Sequence, residues 1–175
     1  MSEKHDRIVS KLFSLGLRLP KFLEQFPDAK IIYTARDPLA TVPSGLSLVT
    51  SVLDGAFGFW KLPEEKRAHF INRLYNGLLT LSLRFQQHYM ESEDLRNRIK
   101  IATYDRMMKD FDNLMPEIVG FVGDEMTPEL SAIIKETAEK QRAYSSGHKY
   151  DLAKYGLTEE QIRKDFAPFY DTFLR

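Results

Sequence analysis

The hydrophobic positions of this chain follow two different periods. Residues 8–25 place leucine and phenylalanine at nearly helical spacing, which predicts a helix that kinks or breaks at Pro20. Residues 30–35 (KIIYTA) and 98–104 (RIKIATY) are short, continuous apolar runs instead, typical of strands that are covered on both faces. Because helical stretches separate the two runs, the pattern predicts a parallel pair of strands in an α/β fold.

A turn directly after the first strand leads into a helix. Asp37 is a good N-cap residue, and Pro38 fits the first helical turn, where no N–H group is missed. Val42 and Leu46 then lie on one apolar stripe that faces a core. Ser44 falls roughly opposite that stripe, so its hydroxyl can face a ligand.

This strand–turn–helix unit has the properties of an anion site. Arg36 stands at the carboxyl end of the strand, where ligands of open α/β sheets bind, and a helix N-terminus follows it. A guanidinium matches a phosphate bidentately, and Ser44 can add a further donor. Alternatively, Arg36 pairs with Asp37 or a neighbouring carboxylate, and Ser44 is only a small helix residue. The residues alone leave both interpretations open.

The rest of the chain is mostly helical by pattern. Helices are predicted over 64–91 and up to Gly123, from Thr127–Pro128 onward, and from Thr158, which forms a capping box with Gln161. Residues 144–156 form a loop. Two strands among five or six helices make a poor sheet, so we expect partner strands to be missing from the chain or to come from another chain.

Composition narrows the protein class. The 175 residues are 43% apolar and 29% charged, which is ordinary for a globular protein, and the formal net charge is zero. Zero net charge argues against general nucleic-acid binding. The chain has no cysteine, which excludes disulfides and thiolate chemistry, and no metal-ligand spacing, which predicts no metal site. No apolar run approaches membrane-spanning length and no signal peptide is visible, so a cytoplasmic protein without a membrane span is expected.

Three segments, in order, resemble sulfotransferases that use 3′-phosphoadenosine 5′-phosphosulfate (PAPS), in their broad bacterial and Golgi-type branch. They are FPDAKIIYTARDPLATVPSGLSL, IATYDRMMKDF and the C-terminal YSSGHKYDLAKYGLTEEQIRKDFAPFYDTF. The resemblance implies that Arg36 and Ser44 bind the 3′-phosphate of PAPS or of adenosine 3′,5′-bisphosphate. It implies that Tyr104 lies near the adenine, and that His148 and Lys149 belong to a basic loop over the nucleotide.

The same resemblance implies a fold class. We expect an α/β, P-loop NTPase-like sulfotransferase fold, truncated and helix-rich, with few parallel strands, forming a single partial domain over residues 1–175. The family's glycine-rich loop for the 5′-phosphosulfate has no counterpart before Phe26. Lys11 and Arg18 fall near basic residues of the family, but Phe13 and Leu15 occupy the positions expected for its proline and histidine. No general base is therefore identified.

Three functions follow from these observations. The first is sulfuryl transfer from PAPS to an unknown hydroxyl acceptor, incomplete in this chain, which alone is expected to be inactive. The second is a non-catalytic remnant that still binds the nucleotide. The third is a helical interaction protein whose sheet is completed by forming a homo-oligomer. Trp60, with Phe57 and Phe59, either lines an acceptor pocket or anchors its loop.

Overall fold

The computed structural model describes residues 8–144 and 151–175, which fold into helices around a small sheet. The elements within those ranges are α1 Leu19–Gln25, β1 Ile31–Ala35, α2 Pro38–Phe57, α3 Glu64–Glu91, α4 Glu93–Asn97, β2 Ile99–Thr103, α5 Tyr104–Lys109, α6 Phe111–Val122, α7 Pro128–Ala143, α8 Glu159–Asp165 and α9 Ala167–Phe173. This helix-rich α/β architecture is the predicted fold class.

The two strands pair in parallel, as predicted from their apolar runs. Ile31 lies opposite Ile99, and the register continues to Ala35 opposite Thr103. Arg98, just before β2, fixes the turn that leads into β1. Its guanidinium donates to three main-chain carbonyl groups, those of Leu23, Phe26 and Ala29, at 3.2, 2.6 and 3.2 Å. The guanidinium thereby ties the end of α1 to the start of the sheet.

The two faces of β1 differ in how they are covered. On one face, the Tyr33 ring stacks on Phe85 of α3 with centroids 3.6 Å apart, and Phe173 of α9 closes the cluster at 5.7 Å. On the other face, Ile32 remains 44% exposed, and Thr34 is exposed as well. Within the described ranges β1 pairs only with β2, so its second edge has no strand partner. The helices thus enclose one side of the strand and leave the other open.

The prediction of a helix over residues 8–25 is wrong in its N-terminal part. The chain is extended or turning up to a short 3₁₀ turn at Leu15–Leu17, and α1 occupies only Leu19–Gln25. Pro20 lies in the first turn of α1, where it is tolerated, and causes no kink. Gly16 is buried against α3, where an added Cβ would lie 3.0 Å from the Cβ of Phe85. Tertiary contact with α3, which periodicity cannot reveal, therefore sets this segment's path.

Helix α2 begins at Pro38 after the N-cap residue Asp37, as predicted, and runs for 20 residues. Asp37 caps it through Leu39 N–H at 2.8 Å, Pro38 opens it, and it ends at Gly58, whose φ of +64° is the left-handed conformation that glycine adopts readily. By length and composition alone, this helix could cross a membrane, which the sequence interpretation did not anticipate. Core helices of soluble proteins can have the same length and composition. Val42 and Leu46 of α2 lie in the core.

The other helices follow the pattern, apart from two short helices that were not predicted, α4 and α5, and a break in the C-terminal helix. Helix α3 matches its predicted bounds, and Thr127 and Thr158 cap α7 and α8 through their hydroxyl groups. The second strand is one residue shorter at each end than predicted, and Tyr104 instead opens the short helix α5, which was missed. The sequence predicts one C-terminal helix, but the structure has two, α8 and α9, which meet at the buried Phe166.

Candidate functional site

Arg36 and Tyr104 come together at the carboxyl end of the sheet. Each directly follows the last residue of its strand, and those residues, Ala35 and Thr103, are paired in the register. The Arg36 guanidinium carbon lies 4.2 Å above the centre of the Tyr104 ring, within the range of a cation–π contact. This contact places the guanidinium over the face of the ring.

The ion pair between Arg36 and Asp37 does not form. Across residues 8–144 and 151–175, no carboxylate lies within salt-bridge distance of Arg36. One carboxylate oxygen of Asp37, Oδ1, instead accepts from Leu39 N–H and from the Tyr170 hydroxyl of α9. Among the described residues, the alternative in which Arg36 pairs with a carboxylate is therefore not observed.

Ser44 lies on α2, away from the core stripe, as the pattern predicts. It is half-buried, whereas Val42 and Leu46 are fully buried. It lies six positions after Pro38, the first residue of the helix, which corresponds to about 9 Å along the helix axis. The structure therefore keeps Ser44 within the first two turns of the helix that follows Arg36.

The basic loop of the resemblance cannot be placed. His148 and Lys149 both fall outside the described residues. Of the other histidines, His69 on α3 is exposed and His88 is half-buried on the same helix, toward the opposite end of α3. Neither of these two contacts Arg36 or Tyr104.

Trp60 behaves as a loop anchor. Its main-chain N–H donates to Asp54 Oδ1 at 3.0 Å, and the Lys154 ammonium lies 4.4 Å from its ring centre. Phe59 beside it is buried in the core, while Phe57 is 78% exposed. The Trp60 ring packs edge-on against the Phe59 ring, with centroids 5.1 Å apart, whereas Phe57 is exposed, which favours the anchor interpretation over an acceptor pocket that all three share.

Sequence inspection missed Tyr170, which reaches the site from the other end of the chain. Its hydroxyl donates to Asp37 across 133 residues of sequence. Burial, and then the hydrogen bond to Asp37, raise the pKa of the Tyr170 hydroxyl well above its usual value, so it stays protonated and remains a donor. No spacing rule links positions so far apart, and only the folded chain shows the contact.

Two clefts among the described residues lie away from this pair. A cleft of about 400 Å³ opens between α1 and the α3–α4 junction, lined by residues such as Leu23, His88 and Arg98. An apolar groove of about 270 Å³ runs between α2 and α3, past Val49 and Leu78. Arg36 and Tyr104 line neither, because they lie at the open end of a two-stranded sheet.

This end of the sheet carries groups that can bind an anion. Two N–H-rich features converge there, a stacked guanidinium and the N-terminus of a 20-residue helix. Within the described part of the chain, no group of three or more His, Asp or Glu side chains could hold a metal ion.

Comparison with known proteins agrees with this architecture. The structure is similar to the crystal structure of sulfotransferase STF9 from Mycobacterium avium, with a TM-score of 0.65 and 23% sequence identity. The similarity covers 92% of this chain but 40% of that one, so the chain spans less than half the length of its structural relative. No curated protein matches the chain. The model of the sulfotransferase domain family matches residues 3–166, and the chain therefore belongs to the sulfotransferase family.

Proposed function

We propose that this chain binds the 3′-phosphate end of PAPS at Arg36, within a sulfotransferase that transfers the sulfuryl group to a hydroxyl acceptor. The observation that carries the proposal is the Arg36 guanidinium, stacked 4.2 Å above Tyr104 at the carboxyl end of β1. A planar guanidinium that pairs with no carboxylate of the described residues is suited to bidentate binding of a phosphate.

Each predicted residue has a distinct role in this proposal. Arg36 grips the 3′-phosphate, and the N-terminus of α2 adds a favourable dipole. Ser44 supplies one neutral hydrogen bond, and Tyr104 contacts the adenine while orienting Arg36. Lys149, with His148, adds positive charge from the C-terminal loop. The 3′-phosphate then distinguishes PAPS from nucleotides that lack it.

Sulfuryl transfer needs more than these residues. An acceptor hydroxyl attacks sulfur in line, a base takes its proton, and cations stabilise the charge on the leaving phosphate. In the PAPS-dependent sulfotransferases that the sequence resembles, a glycine-rich loop holds the 5′-phosphosulfate. Neither β1 nor β2 of this chain is followed by such a loop. We therefore propose that these 175 residues alone bind the nucleotide but turn over no sulfate above background in an assay with radiolabelled PAPS.

Calorimetric titration of the chain tests the binding proposal. Adenosine 3′,5′-bisphosphate should bind more tightly than AMP, because only the former carries the 3′-phosphate. Charge-assisted hydrogen bonds are worth roughly 1.5–3 kcal/mol each, so the difference should be about tenfold or more. Equal affinity for the two nucleotides would contradict the proposal.

The open side of β1 supports a further partner, a second copy of the chain. Ile32 is 44% exposed on the uncovered face, and the adjacent strand edge has no partner in the described ranges. Exposed strand edges pair readily with other chains. We propose a homo-oligomer that covers this side, which also accommodates the interaction-protein alternative.

A further inference from the structure

We propose that Tyr170 is a positioning residue for the Arg36 phosphate site, which it protects by holding the Asp37 carboxylate away from the guanidinium. This inference rests on the proposed 3′-phosphate site. It assigns to the last helix of the chain a role in nucleotide selectivity.

The starting point is the proximity of opposite charges. Asp37 is the next residue after Arg36, and a carboxylate within reach of a guanidinium can form a charge-assisted, bidentate ion pair with it. Such a pair would compete directly with a phosphate for the same N–H groups. Yet among the described residues, no carboxylate lies within salt-bridge distance of Arg36.

Two donors account for the position of the carboxylate. Leu39 N–H donates to Asp37 Oδ1 at 2.8 Å as the helix cap, and the Tyr170 hydroxyl donates to the same oxygen. The cap alone constrains the side chain from one direction. The hydroxyl adds a second direction, and α9 is itself held in the core through Phe169 and Phe173.

Charged neighbours do not offer a competing explanation. The Arg163 guanidinium of α8 lies 5.9 Å from the Tyr170 ring centre. Arg163 makes no salt bridge with Asp37 within the described ranges. The tyrosine hydroxyl is therefore the side-chain donor that restrains Asp37.

The chain offers a matched control. Tyr75 on α3 also donates its hydroxyl to an aspartate, Asp165 Oδ2, at 2.7 Å. Both Tyr170→Phe and Tyr75→Phe remove one hydroxyl and one Tyr–Asp hydrogen bond between distant segments. Only the first frees a carboxylate beside Arg36, so a loss of general stability and a loss of site geometry can be told apart.

The experiment is calorimetric titration of wild type, Tyr170→Phe, Tyr75→Phe and the double variant Asp37→Asn/Tyr170→Phe with adenosine 3′,5′-bisphosphate and AMP. For Tyr170→Phe we expect affinity for the bisphosphate to fall about five- to tenfold and affinity for AMP to change less than about twofold. Tyr75→Phe should keep the wild-type ratio of the two affinities. The double variant should recover that ratio, because an asparagine side chain still caps the helix but carries no charge.

The outcomes separate this inference from the function on which it rests. A wild type that prefers the bisphosphate, together with a Tyr170→Phe variant of unchanged ratio, overturns the positioning role alone. The positioning role is also overturned if Tyr75→Phe lowers the ratio of the two affinities as much as Tyr170→Phe does. It is overturned as well if adding Asp37→Asn to Tyr170→Phe does not recover that ratio. A wild type with equal affinities overturns the phosphate site and the inference together.

Discussion

At the scale of single residues, the site depends on one oriented cation. Arg36 is fixed by the Tyr104 ring at 4.2 Å, and the nearest carboxylate in sequence, Asp37, is engaged elsewhere. Arg36 and Tyr104 were both identified in the sequence, and the strand register explains why they meet. Tyr170 was not, because nothing in the sequence near position 170 indicates a partner 133 residues away.

Ser44→Ala should weaken binding of adenosine 3′,5′-bisphosphate by about 1 kcal/mol, roughly fivefold, because one neutral hydrogen bond is lost. Ser51→Ala is the control, since Ser51 lies on the same face of α2 about two turns further along and is exposed. Calorimetric titration of both variants measures the difference. Ser44→Ala binding as tightly as Ser51→Ala would show that the hydroxyl does not contact the phosphate.

At the scale of elements, the sequence correctly predicts the helices and strands whose apolar spacing and turn residues agree with the way they pack. Helix α3 follows one long apolar stripe, and β1 and β2 are bounded by clear turn signals, so all three lie within one residue of prediction. The prediction for the segment before Leu19 was wrong. The spacing of its apolar side chains is typical of a helix, but Ile8, Val9 and Phe13 are exposed. Its path is set by Gly16 lying against α3, a contact between distant segments.

Two glycine substitutions test this explanation of the N-terminal segment. Gly16→Ala should lower the free energy of unfolding by about 1–3 kcal/mol, because the new Cβ meets Phe85 Cβ at 3.0 Å and the Leu81 carbonyl oxygen at 3.1 Å. Gly77→Ala should raise it by about 0.5–1 kcal/mol, because Gly77 lies within α3 and no atom lies within 4 Å of the added Cβ. Chemical denaturation of both variants measures these changes, and a neutral Gly16→Ala would argue against close packing there.

At the scale of the whole molecule, the fold is a sulfotransferase architecture with one side of its small sheet open. The uncovered face of β1 carries Ile32, and an exposed apolar residue beside a free strand edge favours association. The sequence indicated the shortage of strands from the count of apolar runs. It could not indicate which face remains open, because that depends on how α3 and α9 pack against Tyr33.

Sedimentation velocity over a range of protein concentrations tests the association. We expect a dimer or larger species, and we expect Ile32→Lys to shift it toward monomer by placing a charge on the open face. Ile133→Lys is the control, since Ile133 is 60% exposed on α7. A monomer at every concentration, or equal effects of the two substitutions, would contradict association through β1.

The most direct test of the phosphate site is a calorimetric comparison of Arg36→Lys with Arg84→Lys, an exposed exchange on α3. Both variants keep the charge, but an ammonium cannot reproduce the planar fork or its stacking on Tyr104. We expect Arg36→Lys to lose most of the preference for adenosine 3′,5′-bisphosphate over AMP, and Arg84→Lys to retain it. An Arg36→Lys variant that keeps the wild-type preference would show that Arg36 does not bind the 3′-phosphate.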